Sequence, residues 1–161
     1  MTQNVASEQS WTSDRYDKSE WGEGPWRREP DKVQWIDPAT DLDCLAVRNH
    51  MGAWCGYVGV PPEHPWHGKG YDDVDVDVHG GLTFAETCQD EFGDPAWGVC
   101  HVPAPGRPAN VWWLGFDTAH AWDLVPGLGR FLGGRDDVYR DLAYVRAECT
   151  GLASQVSEAA A

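Results

Sequence analysis

Asp73-Val-Asp-Val-Asp-Val-His79, with Gly80-Gly81 behind it, carries the clearest periodicity in the chain. Its strict period of two predicts a β-strand, with Val74, Val76 and Val78 on one face and Asp73, Asp75, Asp77 and His79 on the other. Gly80-Gly81 predicts a turn, and Leu82 to Ala85 a returning hairpin partner. Like charges side by side on one strand repel. The acidic face therefore calls for a reason: a bound metal, a cationic partner, a catalytic role, or a solvated sheet surface whose charges block edge pairing.

Working outward, Ala53 to Val60 reads as a strand stopped by Pro61-Pro62, and residues 61–71 as a Pro/His/Gly loop. Trp97 to Val102 reads as a strand ended by Pro103 and Pro105. Val111 to Thr118 reads as another, setting Trp112, Leu114 and Phe116 on one face against Trp113 and Asp117. Residues 86–96 and 124–134 predict irregular chain. Asp37 and Pro38 are the cap and first-turn signals of a short helix, with Leu42, Leu45 and Ala46 as its apolar stripe and Gly52 as its stop. The longest helix is expected over residues 135–157, on the stripe Val138, Leu142, Val145, Cys149, Leu152 and Val156. Asp136 and Asp137 would sit at its dipole-favoured start. Such a stripe packs on a sheet or forms a homodimer seam. The expected class is α+β, an antiparallel sheet of about four to five strands packed by a C-terminal helix and a shorter N-terminal helix. One domain is expected over 33–157, after a flexible or loosely docked segment 1–32 and before a tail 158–161.

The chain has 161 residues and a net charge of −14, of which residues 33–161 carry −12 (nineteen acids against seven bases). Such a field repels nucleic-acid backbones and anionic lipid, so neither is an expected partner. No apolar run approaches the ~20 residues that span a bilayer, and the polar start does not resemble a signal peptide. Five cysteines without a CxxC spacing are expected to be reduced thiols of a cytoplasmic protein. Ten tryptophans are present. Trp26 and Trp35 are expected to pin the polar N-terminal region to the domain, where Trp11 and Trp21 also lie.

The candidate chemistry falls in clusters. The acidic segment supplies Asp75, Asp77 and His79, and Asp117 with His120 sits at the end of the Val111–Thr118 strand. Carboxylates with imidazoles suit Zn, Mn or Fe, so Asp75, Asp77, His79 and His120 form a candidate divalent-metal set able to activate water. Trp113, with Tyr71 and Trp66 near the acidic segment, suggests aromatic walls for a flat ligand. The alternative for Trp113 is packing under the terminal helix. His64 and His67 read as loop structure or as further ligands, and Cys100-His101 as core. Nucleophilic catalysis has weak support: no Gly-x-Ser-x-Gly elbow occurs, and the cysteines sit in apolar settings.

Gly56-Tyr-Val-Gly-Val-Pro-Pro62, the run Asp73 to Phe84 with its His-Gly-Gly-Leu-Thr-Phe, and Val111-Trp-Trp-Leu-Gly-Phe-Asp117 with Ala119-His120 resemble an uncharacterised family of small proteins from bacteriophages and actinobacterial prophages. The resemblance covers roughly residues 35–155 and implies a small accessory protein in the bacterial host cytosol, of a kind that often antagonises host defence. It carries no activity or site residues. Together these readings lead to an expected binder of a nucleotide-like small molecule at Tyr71, Asp75, Asp77, His79, Trp113, Asp117 and His120. Lys69 or Arg107 would offset the acidic field around phosphates. The alternatives are a metal-dependent phosphoester or nucleotide hydrolase, and an acidic DNA mimic or partner of a basic protein.

Overall fold

A computed structural model describes residues 8–88, 94–128 and 137–161. It is α+β, with one antiparallel sheet covered on one face by one helix. The strands are β1 (Gln9–Trp11), β2 (Lys32–Ile36), β3 (Asp43–Arg48), β4 (Trp54–Val60), β5 (Phe84–Glu86) and β6 (Trp112–Asp117), and the helix is α1 (Leu142–Ala159). The sheet order is β1-β2-β3-β4-β6-β5, so β6 inserts between β4 and β5. The described residues thus hold six strands rather than four or five.

The short N-terminal helix does not form. Asp37 does cap, but it caps a turn: its Oδ2 accepts from the Thr40 N–H at 3.0 Å, and Asp41 takes a positive φ of 63°. The same chemistry that starts a helix here closes the β2–β3 hairpin, in which Ile36 pairs with Asp43. Leu45 and Ala46 lie within β3, every residue of which is buried.

The acidic segment is not a strand. Tyr71–Asp73 is a short 3-10 turn, and residues 74–79 join no ladder. The alternation itself is real, since Val74 and Val78 are buried while Asp73, Asp75 and Asp77 are exposed. What replaces a neighbouring strand is helix α1. Gln155 Oε1 accepts from the Asp77 N–H at 2.7 Å, and Gln155 Nε2 donates to the Asp77 carbonyl at 2.8 Å. Glu148 accepts from the His79 N–H at 2.7 Å. Side chains of α1 thus satisfy backbone groups that a ladder would otherwise pair. The returning strand β5 pairs with β6 instead.

Trp97 to Val102 is likewise irregular. Gln34 holds this segment against β2 by accepting from the Val102 N–H and donating to its carbonyl, both at 2.8 Å. Lys32 donates to the Cys100 carbonyl at 2.6 Å. Cys100 is bonded to Cys88, which corrects the expectation of five reduced thiols; Cys44, Cys55 and Cys149 are free and buried.

Helix α1 starts later than expected. Asp141 is its N-cap, accepting from the Tyr144 N–H at 2.8 Å, and Glu29 accepts from the Leu142 N–H at 2.7 Å. Val138 is exposed and bridges to Asp123. Asp137 precedes the helix, and Asp136 and residues 129–134 of the expected loop lie outside the described residues. Val145, Cys149, Leu152 and Val156 are fully buried in the main core, so the stripe is used on the sheet. Each large side chain so buried contributes about 1.5–3 kcal/mol. His64 binds the Val156 carbonyl at 2.7 Å, covering one of the helix's last acceptors.

The N-terminal segment is docked over residues 8–32. β1 pairs with β2, and Trp26 is buried edge-on to Tyr139 at 5.1 Å. Trp35 is also buried, as expected. The Arg48 side chain is inaccessible; it donates to Asp31 at 3.0 Å, Glu29 at 3.2 Å and the Gly52 carbonyl at 2.8 Å. Removing this buried hub would leave Asp31 with Lys18 at 2.8 Å as its cationic partner and Glu29 with the Leu142 N–H and the Trp54 and Tyr139 side chains alone.

Candidate functional site

The sheet face opposite α1 is covered by residues 97–111 over β2 and β3. Beyond that cover, over β4, β6 and β5, lies an open cleft of about 460 Å³. Strand register builds it. Tyr57 on β4 and Phe84 on β5 are both partners of Gly115 on β6. Gly115 has no side chain, and a Cβ there would stand 2.4 Å from the Tyr57 ring. The two rings therefore meet edge-on across β6, their centroids 5.2 Å apart. They form the aromatic wall of the cleft. One pleat further along, Cys55 pairs with Asp117. Asp117, Thr83 and His120 make the polar end, and Asn49 lies on the rim.

Asp117 is well held. Its Oδ1 accepts from the Ala119 N–H at 3.0 Å, and its Oδ2 accepts from the Thr83 hydroxyl at 2.9 Å. Its side chain remains 27 % exposed. His120 Nε2 stands 3.4 Å from Asp117 Oδ1 but is buried without an aligned hydrogen bond. We read this as an electrostatic contact, since alignment decides hydrogen-bond strength at that distance.

Behind His120 is a residue the sequence reading missed. Asp123 is fully buried and accepts from His79 Nε2 at 2.9 Å, the His120 N–H at 3.0 Å and Arg140 Nε at 2.9 Å. Burial works to raise its pKa, but these donors outweigh burial and hold the carboxyl below the ordinary aspartate value. His79 Nδ1 meets the Tyr144 hydroxyl at 2.7 Å. With Nε2 donating to Asp123, Nδ1 of a neutral ring is the acceptor of the tyrosine proton. The His79 and His120 rings lie 5.7 Å apart.

Of the expected site residues, His79, Asp117 and His120 converge, with His79 in a supporting position behind the cleft. Asp75 and Asp77 do not join them, because both are exposed on the segment over α1. The metal set of Asp75, Asp77, His79 and His120 is therefore not assembled, and among the described residues no group of three or more His, Cys, Asp or Glu side chains is arranged to hold a metal ion. Tyr71 is exposed in its 3-10 turn and does not line the cleft. Trp113 faces the same side of the sheet as Asp117 but is completely buried, edge-on to His101 at 5.2 Å. It lies neither under the terminal helix nor in the cleft wall. His64 and His67 are loop structure: His64 accepts from the Trp66 N–H, and His67 Nδ1 binds the Val60 carbonyl at 3.0 Å. Arg107 is engaged by Asp41 and Asp43, and neither it nor Lys69 lines the cleft.

The cleft is poorly equipped for covalent chemistry. Burial first, and the Asp117 carboxylate second, push the Cys55 thiol up to about 12, so it is protonated at neutral pH and unreactive. The Thr83 hydroxyl is bonded to a carboxylate rather than to an imidazole. The missed wall residues did leave a trace: Cys55 and Tyr57 alternate within the strand marked by Pro61-Pro62, and Gly115 sits amid bulky neighbours where a close approach is to be expected.

No protein-family model, curated protein or solved structure matches the chain. Among the described residues, no helix is long and apolar enough to cross a membrane.

Proposed function

We propose that this chain binds a small, flat, nucleoside-like molecule in the cleft between Tyr57, Phe84 and Asp117. The carrying observation is the combination of an aromatic wall and a partly exposed, fixed carboxylate in one opening of ligand size. Pockets for small molecules typically enclose ~300–1,000 Å³ and combine apolar walls with a few fixed polar groups. The base, rather than a phosphate, is the recognised part: among the described residues no Lys or Arg lines the cleft, and the chain's net charge is −14. In the phage-type context that the sequence resemblance implies, the role is sequestration of a host signalling nucleotide or its nucleoside. The metal-dependent hydrolase reading has no assembled ligand set behind it among the described residues. An acidic docking surface for a basic protein is the second reading, supported by the exposed run of Asp72, Asp73, Asp75 and Asp77.

The test is a fluorescence and calorimetric titration of the purified protein with a panel of nucleosides and nucleotides, repeated on Phe84→Ala. Loss of one stacking partner weakens binding by about 1–3 kcal/mol. Absence of saturable binding by every panel member, from a protein whose circular dichroism and melting are normal, overturns the reading in favour of the acidic surface.

A further inference from the structure

The ligand of this cleft can be specified more closely by counting acceptors, and the count rests on the binding reading above. An ionised carboxylate offers about four lone-pair directions, two on each oxygen. In Asp117 the Ala119 N–H takes one on Oδ1 and the Thr83 hydroxyl takes one on Oδ2. Each oxygen thus accepts one aligned hydrogen bond; His120 Nε2 stands 3.4 Å from Oδ1 without such alignment, and the side chain is partly exposed at the cleft. The two existing bonds come from Ala119, two residues beyond β6, and from Thr83, the residue before β5, so each oxygen is held by one donor. Tyr57 and Phe84 supply the apolar wall beside it.

We propose that Asp117 is a specificity-determining residue that selects ligands bearing two adjacent N–H donors on a planar group, as on a guanine edge or an amidinium. Two parallel N–H···O bonds to one carboxylate are shorter and stronger than neutral pairs and demand coplanarity. A flat group packed on the Phe84 ring would lie beside Asp117 in the same cleft. Among the described lining residues the one side chain able to carry positive charge is His120, whose Nε2 lies 3.4 Å from Asp117 Oδ1 and would have to yield to a paired donor there. An adenine edge, which alternates donor and acceptor, would place an acceptor against a carboxylate oxygen and be rejected.

The experiment titrates the wild-type chain with guanosine, benzamidine and adenosine, and repeats each on Asp117→Asn and Phe84→Ala. Asparagine keeps an acceptor for the Ala119 N–H and offers Thr83 a donor, so the local structure is retained. It leaves only one acceptor for a paired donor. The expected result is that guanosine, benzamidine or both bind about tenfold or more tighter than adenosine, and that Asp117→Asn removes this preference. Preference for guanosine alone identifies a neutral base edge as the source of the donors; preference for benzamidine alone identifies a cation. If all three bind alike, with Asp117→Asn silent and Phe84→Ala weakening each, the cleft remains a binding site and the role of Asp117 is overturned. If none of the three binds the folded wild-type chain, the binding reading and this inference fall together.

Discussion

Gly80 and Gly81 are adjacent, both have positive φ (68° and 80°), and only one of them touches the site. A Cβ on Gly81 would meet nothing within 4 Å. A Cβ on Gly80 would stand 2.1 Å from His120 Nε2, 2.6 Å from Cδ2 and 2.7 Å from Cε1. Alanine at either position carries the left-handed backbone penalty of ~1–2 kcal/mol, partly offset by a stiffer unfolded chain. Gly81→Ala should therefore cost about 1 kcal/mol. In Gly80→Ala the imidazole must also retreat by roughly 1.4 Å to reach an ordinary ~3.5 Å contact. It has little room, because its backbone N–H is bonded to buried Asp123 and its ring lies against Trp122 and His79, with centroids 5.9 and 5.7 Å away. Overpacking of this kind adds about 1–3 kcal/mol, so Gly80→Ala should cost about 2–4 kcal/mol in all. Urea unfolding followed by tryptophan fluorescence gives both values. Imidazole NMR resonances show whether the His120 ring moves, and they should shift only in Gly80→Ala. Equal destabilisation by the two substitutions, or unchanged His120 resonances in Gly80→Ala, refutes the packing of His120 on Gly80 and with it the described rim of the cleft.

The thiols give a second check. Native protein should show no thiol reactive toward an aromatic disulfide reagent, and denaturation without reductant should release three, because Cys44, Cys55 and Cys149 are free and buried while Cys88 and Cys100 are paired. Burial pushes Cys149 as well as Cys55 up to about 12. Five reactive thiols would disprove the pairing. Replacing both paired cysteines by serine should cost roughly 3 kcal/mol, the loop-closure value for a short loop. His101 sets a pH dependence: its burial lowers its pKa more than nearby Asp43 raises it. The unfolded chain therefore takes up a proton below about pH 6.5 that the native chain resists, so stability should fall as pH drops through that window and level off once native His101 titrates. His101→Phe, which keeps an edge-on ring against Trp113, should reduce that slope, by at most about 1.4 kcal/mol per pH unit. An unchanged slope refutes the assignment.

What the sequence made legible was local. Aspartate and histidine three apart at a strand end do reach each other, because that geometry is set within one turn of chain. The proline-stopped strand β4 and the alternation of β6 were equally plain. What it hid was partnership. The period of two over residues 73–79 says which side chains point inward, and Val74 and Val78 do; it does not say that the neighbour is a glutamine on a helix. Asp37 with Pro38 announces a capped start, and a hairpin turn uses the same side-chain oxygen as a helix. Every residue of β3 is buried, so neither helical nor strand periodicity could show there. Tyr57 and Gly115 left local traces, but their assembly into a cleft wall was beyond reading, because Tyr57, Gly115 and Phe84 come together only through the insertion of β6 between β4 and β5.

The repulsion within the acidic run has a simple resolution in this geometry. Asp73, Asp75 and Asp77 are exposed on a segment with no strand beside it, so water and salt screen their charges and no cation is needed to hold them. The last member of the series behaves differently. The chain turns directly after His79, where the Gly81 N–H bonds the Val78 carbonyl at 2.9 Å. That turn carries the imidazole off the acidic face and into the protein, where Asp123 and Tyr144 receive it. The run is therefore a ridge of solvated carboxylates ending in one inward anchor, and the anchor supports the loop that presents His120.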